Sequence, residues 1–209
     1  IHSVKAQGAI LNNLAECYSK QGRNDKALEA YEESASLFLS LPDSIAYAGV
    51  LINISAVYDE AGKAKMAIEK ALQAIDVKES VGDSAQLAFY YNKVAELFKG
   101  LNSPKWKEYL MTAYYLSKNP DHTTFYTNIT IFNNMGFVAD SEGRLEDAIA
   151  YYDTAYMIAK KYNHIDGIET GLSNKASLYL KMGDYEKASL LYRQAVEAGE
   201  KGENVYRKT

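Results

Sequence analysis

Apolar and small residues recur along the chain at helical spacing, and one short pattern returns five times: residues 11–18 (LNNLAECY), 51–58 (LINISAVY), 91–98 (YNKVAELF), 132–139 (FNNMGFVA) and 172–179 (LSNKASLY). Their central small residues, Ala15, Ser55, Ala95, Gly136 and Ala176, are separated by 40, 40, 41 and 40 positions. A fixed period of roughly 20 to 50 residues predicts a stacked array in which each unit is one supersecondary element. In all but the third repeat a glycine and a second small residue follow: Gly22 and Ala27, Gly62 and Ala67, Gly143 and Ala148, Gly183 and Ala188. The glycine suits the left-handed residue that ends a helix, and the small residues let two helices cross closely, so each repeat reads as an antiparallel helical hairpin. Tyr31 with Ser34 and Ala35, Tyr152 with Ala155, and Tyr192 with Ala195 continue the inward stripe of the second helix.

Pro42-Asp43, Gly82-Asp83, Pro120-Asp121 and the stretch 163–166 supply breakers and capping carboxylates between hairpins. They divide a single array, residues 1–201, into repeats at about 3–42, 43–82, 83–120, 121–164 and 165–201, with no separate second domain and with 202–209 as a tail that frays or begins a further segment. Two repeats depart from the pattern. The third carries Leu101-Asn102-Ser103-Pro104 in place of its glycine turn, with Ser103 placed to cap and Pro104 to start the second helix. Trp106 then falls where the others have alanine; at about 1 to 3 kcal/mol of overpacking, the helices must spread or the indole must turn outward, where it would offer a partner an aromatic anchor. The fifth has Lys175 where the others have Leu14, Ile54, Val94 and Met135, so its stem is expected to pack while its ammonium reaches water.

Composition agrees with helices: three prolines in 209 residues, and much Ala, Leu, Glu, Lys and Tyr. A formal charge of −4 with mixed signs gives no basic stripe for nucleic acid. The charge-free stretches 44–58 and 123–139 are too short and too rich in Asn for membrane insertion and read as buried helices. Cys17 is the lone cysteine, forms no intramolecular disulfide and is expected as a buried thiol. The sequence opens at Ile1 without a basic leader, as a segment excised from a longer chain would, which leaves a removed signal peptide open.

Catalytic chemistry finds little support. His2, His122 and His164 are far apart and expected as solvated residues, the last two in turns between hairpins. No zinc spacing, phosphate-cradling glycine loop or calcium loop is present, so neither metal nor cofactor is expected, and Glu142, Glu146 and Asp147 beside Arg144 read as a solvated mixed-charge face.

The pattern resembles the tetratricopeptide repeat, with small residues at the eighth and twentieth positions, an aromatic at the eleventh and another near the twenty-fourth. The usual period is about 34 residues, so 40 implies longer helices, similar to the arrays of kinesin light chains, cell-polarity scaffolds and bacterial quorum-peptide receptors. The resemblance implies an all-α, right-handed superhelical solenoid of five hairpins, whose first helices form a concave wall reached by positions two, five, six, nine and twelve. Carried over, position six is Asn13, Asn53, Lys93, Asn134 and Asn174, position five is Asn12, Ile52, Asn92, Asn133 and Ser173, and Phe89 and Phe137 come from positions two and nine. Glu16, Asp59, Glu96 and Asp140 flank them.

A carboxamide both donates and accepts, so a row of them suits the backbone of an extended peptide; equally, it suits bonds between neighbouring helices that fix the register of the hairpins. The candidate ligand-binding residues are therefore Asn12, Asn13, Ile52, Asn53, Phe89, Asn92, Lys93, Asn133, Asn134, Phe137 and Asn174. A carboxylate clamp for chaperone tails would need Lys and Asn at positions five and nine of the first repeat; Asn12 and Glu16 stand there, and only Asn53 and Lys93 match further on. The implied function is a non-catalytic module binding a protein or extended peptide, the sensory or scaffolding part of a larger bacterial regulator, with self-association as the alternative. The compartment is not fixed by the sequence; the same resemblance leans toward an extracytoplasmic, periplasmic portion of a membrane-bound regulator.

Overall fold

The structure, a computed structural model, describes residues 2–41, 44–84, 86–118 and 124–206. Among these residues the chain is all-α, with ten helices and no strand: α1 His2–Lys20, α2 Asn24–Leu39, α3 Ser44–Glu60, α4 Ala64–Ser80, α5 Leu87–Gly100, α6 Trp106–Ser117, α7 Phe125–Ser141, α8 Leu145–Lys161, α9 Ile165–Lys181 and α10 Tyr185–Tyr206. Pro42-Asp43, Pro120-Asp121 and His122 lie outside the described residues. The helices form two compact bodies, residues 1–113 and 114–209, and the division falls inside α6. Helix α10 continues through 202–206, residues expected as a tail, and 207–209 lie outside the described residues.

Each hairpin turns by the same device. At Gly62, with φ at +70°, the glycine N–H donates to the Asp59 carbonyl at 2.9 Å and the Lys63 N–H to the Tyr58 carbonyl at 2.8 Å, which satisfies two carbonyls at the end of α3. The third hairpin does this without glycine. Asn102 takes the left-handed conformation, φ +52°, its N–H bonds the Lys99 carbonyl at 2.9 Å and the Ser103 N–H bonds the Phe98 carbonyl at 3.0 Å. Asparagine is among the few side chains that visit this region readily.

In the N-terminal body, α1 packs on α2, α2 on α3, α3 on α4 and α4 on α5. Ala15, Ala27, Ala67 and Ala71 are fully buried at the crossings, and the Ser34 hydroxyl donates to the Gly8 carbonyl at 2.8 Å. The link from α4 to α5 is held by a buried ion pair. Lys78, 3% exposed in the last turn of α4, meets Asp83 at 2.6 Å with its ammonium 5.3 Å from the centre of the Tyr90 ring. A cation there also complements the negative end of the helix. Burial, with Asp83 adding, pushes the Tyr90 phenol up to about 12.

Trp106 occupies the first inward position of α6, since Leu110 and Ala113 beyond it are buried in helical register. The tight turn before it, with the Trp106 and Lys107 amides bonded to the carbonyls of Ser103 and Pro104, leaves the indole half-buried with the Lys99 ammonium 5.3 Å from its ring centre. Phe98 stacks on Tyr109 at 5.3 Å and completes the contact of α5 with α6.

In the C-terminal body α7 packs on α8, α8 on α9 and α9 on α10. Gly136 is required by its neighbour: a Cβ there would come within 2.5 Å of the buried Tyr152 ring.

The Lys175 side chain is 15% exposed; its ammonium pairs with Asp153 on α8, itself 46% exposed, and lies 5.5 Å from the Tyr156 ring centre, because the preceding hairpin supplies a carboxylate at that position. One expectation is corrected. Cys17 is exposed, not buried, since two residues beyond Ala15 it lies about 200° around α1 from the crossing.

Candidate functional site

Within each body the first helices of successive hairpins are joined by an amide rung. In the N-terminal body Asn53 Nδ2 donates to Asn12 Oδ1 at 3.0 Å; in the C-terminal body Asn174 Nδ2 donates to Asn133 Oδ1 at 3.2 Å. In both, position six of one hairpin donates to position five of the hairpin before it, across 41 residues. Further along the same helices Ser19 Oγ donates to Glu60 at 3.4 Å, and Lys181 pairs with Asp140, again 41 residues apart. Lys93 bridges to Asp59 at 3.2 Å.

These asparagines therefore do bind neighbouring helices. Each bond uses one N–H of the donor amide and one lone pair of the acceptor, so the nitrogen of Asn12 or Asn133 and the oxygen of Asn53 or Asn174 keep the capacity to bond a third group. That pairing of donor and acceptor is the complement of a single peptide unit.

Beside each rung is an open cleft. The N-terminal one, about 390 Å³, brings together Asn12, Asn13, Ile52, Asn53 and Phe89 with Gly49, Val50 and Tyr90. The C-terminal one, about 270 Å³, is lined by Asn133 and Asn134 with Thr130, His164, Asp166 and Thr170. The remaining expected residues lie elsewhere. Asn174 contributes through its rung, and Phe137 is exposed on α7. Lys93 is engaged by Asp59. Asn92 is turned inward, 4% exposed, and its Nδ2 donates to Glu96 at 2.9 Å. Burial raises the Glu96 carboxyl above the ordinary carboxylate range, against the opposing pull of Lys93 and the Asn92 bond.

His164 is the other correction. Half-buried, it caps α9, its Nδ1 accepting from the Gly167 N–H at 3.0 Å, with its ring edge-on to Tyr126 at 4.8 Å. Sequence reasoning missed it, and missed Gly49. Position two, already named as a groove position, runs Ala9, Gly49, Phe89, Thr130 and Thr170, and the side chain absent at its second member was the available signal.

The charged cluster around Arg144 is solvent-exposed, with Glu142 at 2.8 Å and Asp147 at 2.5 Å. Among the described residues no three His, Cys, Asp or Glu side chains gather as metal ligands, and no helix is long and apolar enough to cross a membrane.

Comparison with known proteins bears on the family and the fold. The family model of the tetratricopeptide repeat matches residues 7–80 and 127–201. No curated protein matches the chain in sequence. Among solved structures, BtubC (BKLC) from P. vanneervenii superposes with a TM-score of 0.83 at 20% identity, over 96% of this chain and 82% of that one. A Rap protein complexed with Competence and Sporulation Factor superposes at 0.73 and 18% identity over 93% of this chain, which spans about half, 54%, of its length. A putative kinesin light chain from Podosopora anserina with nearly identical TPR-like repeats superposes at 0.71 and 13% identity, covering 96% of this chain and 98% of that one. At these identities the likeness is one of fold. With the family model covering α1 to α4 and α7 to α10, the chain belongs to the tetratricopeptide repeat family.

Proposed function

We propose that the first-helix face of each body binds extended chain of a partner protein, and that the backbone is held there by the Asn12–Asn53 rung in the N-terminal body and by the Asn133–Asn174 rung in the C-terminal body. Repeats of this family mediate protein–protein interaction. The observation that carries the finer reading is the recurrence of one rung, with the same donor and acceptor sense, beside a cleft in each body. At about 0.5 to 1.5 kcal/mol net per hydrogen bond, two such rungs supply modest affinity and leave selectivity to the cleft side chains. A role as the sensory or scaffolding part of a larger regulator is part of the proposal, supported by the fold shared with a Rap protein in complex with a factor.

The test keeps the rung and removes its outward donor. Asn12→Asp and Asn133→Asp retain an oxygen for Asn53 and Asn174 but lose the amide N–H groups. On an array of unmodified 12-residue peptides, the double variant should lose roughly tenfold in affinity with little change in Tm. An unchanged set of bound peptides at unchanged affinity would overturn the backbone reading.

Self-association has its own observation. Ile10 and Leu14 on α1 are 65% and 41% exposed, although their counterparts Val50 and Ile54 on α3 are each 2% exposed; Val196 on α10 is 60% exposed. Sedimentation velocity across a concentration series decides it, a constant monomer mass removing this alternative.

A further inference from the structure

We infer that the cleft of the N-terminal body is a neutral side-chain pocket whose depth is set by Gly49, and that it takes an uncharged apolar residue, aromatic or long aliphatic, of an extended peptide. The inference rests on the peptide-binding reading and adds the chemistry of the ligand.

Gly49 lies in mid-helix, and a Cβ added there would meet no protein atom within 4 Å. The space over α3 is therefore left open by the sequence and is not filled by a neighbour. On the next hairpin the same position is Phe89, whose ring is 41% exposed and stands edge-on to Tyr90 at 5.7 Å, forming one wall. Val50 and Phe38 supply buried apolar surface, and the Asn12–Asn53 rung forms the polar edge.

The lining carries no formal charge. Its one ionisable group is the Tyr90 phenol, protonated at neutral pH. On the same helices Lys93 pairs with Asp59 and Lys20 with Glu16, and the Lys78 ammonium, 5.3 Å from the Tyr90 ring centre, is paired with Asp83. A charged side chain entering this space would lose water and find no countercharge, whereas an apolar one loses nothing it needs. A peptide group beside that residue meets the donor and acceptor of the rung. The C-terminal cleft differs on the point that decides: Thr130 and Thr170 stand at position two, and Asp166 joins the lining.

The experiment uses the full chain and four blocked amino acids as probes: N-acetylphenylalanine amide, N-acetylleucine amide, N-acetyllysine amide and N-acetylglutamate amide, titrated by two-dimensional NMR. The two neutral probes should move the Gly49, Ile52 and Asn53 amide resonances saturably, with the charged pair roughly tenfold weaker or more. Gly49→Leu, which fills open space, should abolish these shifts, Gly49→Ala should reduce them, and both should keep the wild-type helical circular dichroism. Equal shifts from charged and neutral probes would overturn the proposal, as would shifts that survive Gly49→Leu. On the peptide array the two levels separate. If the Asn12 and Asn133 variants lose binding while Gly49→Leu does not, the groove stands and this pocket falls; if neither variant changes binding, both fall.

Discussion

Asn53 and Asn174 make the same bond to the hairpin before them, at 3.0 and 3.2 Å, yet the surroundings of the two rungs have diverged. Beside the first lies a cleft without formal charge, opened by Gly49; beside the second, a smaller cleft carries His164 and Asp166. The glycines also do opposite things. Gly49 leaves space empty, and Gly136 makes room for a buried tyrosine of its own body. The rung follows from hairpin spacing, which both bodies share, while pocket character follows from single side chains, which each body sets for itself. A repeat protein can thus keep one way of holding backbone and vary what it selects.

The largest expected effect probes the junctions. Lys78→Ala removes the buried ammonium from both Asp83 and the Tyr90 ring and should cost about 3 kcal/mol, read as lost hydrogen-exchange protection in α4 and α5. If protection there is unchanged, the ion pair is not what fixes the N-terminal body's junction. Next, Gly136→Ala drives a Cβ into the Tyr152 ring and should destabilise by about 2 kcal/mol even after the helix gains propensity, with Tyr152→Leu restoring most of the loss in a double-mutant cycle. An additive cycle would break the contrast drawn between the two glycines.

Smaller again, Asn53→Ala and Asn174→Ala should each cost about 1 kcal/mol in urea denaturation. Unequal costs would mean that the two rungs are not equivalent. The smallest effect concerns pH. Because burial raises the Glu96 carboxyl, the native state holds a proton that the unfolded chain has already released, so stability falls as pH rises from the ordinary carboxylate value to the raised one. Glu96→Gln, which keeps an acceptor for Asn92, should flatten that slope and raise stability above the window, leaving the acid side unchanged. A slope that persists would assign it to another group.

Much of the fold was legible because helical hairpins are written locally. The 40-residue period, the turn glycines and the crossing alanines each act within a few residues of themselves, and all appear where expected. Even the glycine-free third turn is readable afterwards, since Asn102 is one of the few residues able to replace glycine at φ +52°. The site was legible only in part. Residue type placed asparagines at positions five and six, but it could not say that Asn92 turns inward to Glu96 while Asn12 and Asn53 bond each other.

The sequence by itself determined that this chain is an array of helix pairs and which residues lie along each first helix, because periodicity and turn chemistry are properties of short segments. Only the tertiary structure decided which amides pair across 41 residues, that Asp153 captures Lys175, that Cys17 faces water, and that the space over Gly49 stays open. Those outcomes depend on the rotation and offset between neighbouring hairpins. No single repeat encodes that offset; it emerges when the side chains of two hairpins pack against each other.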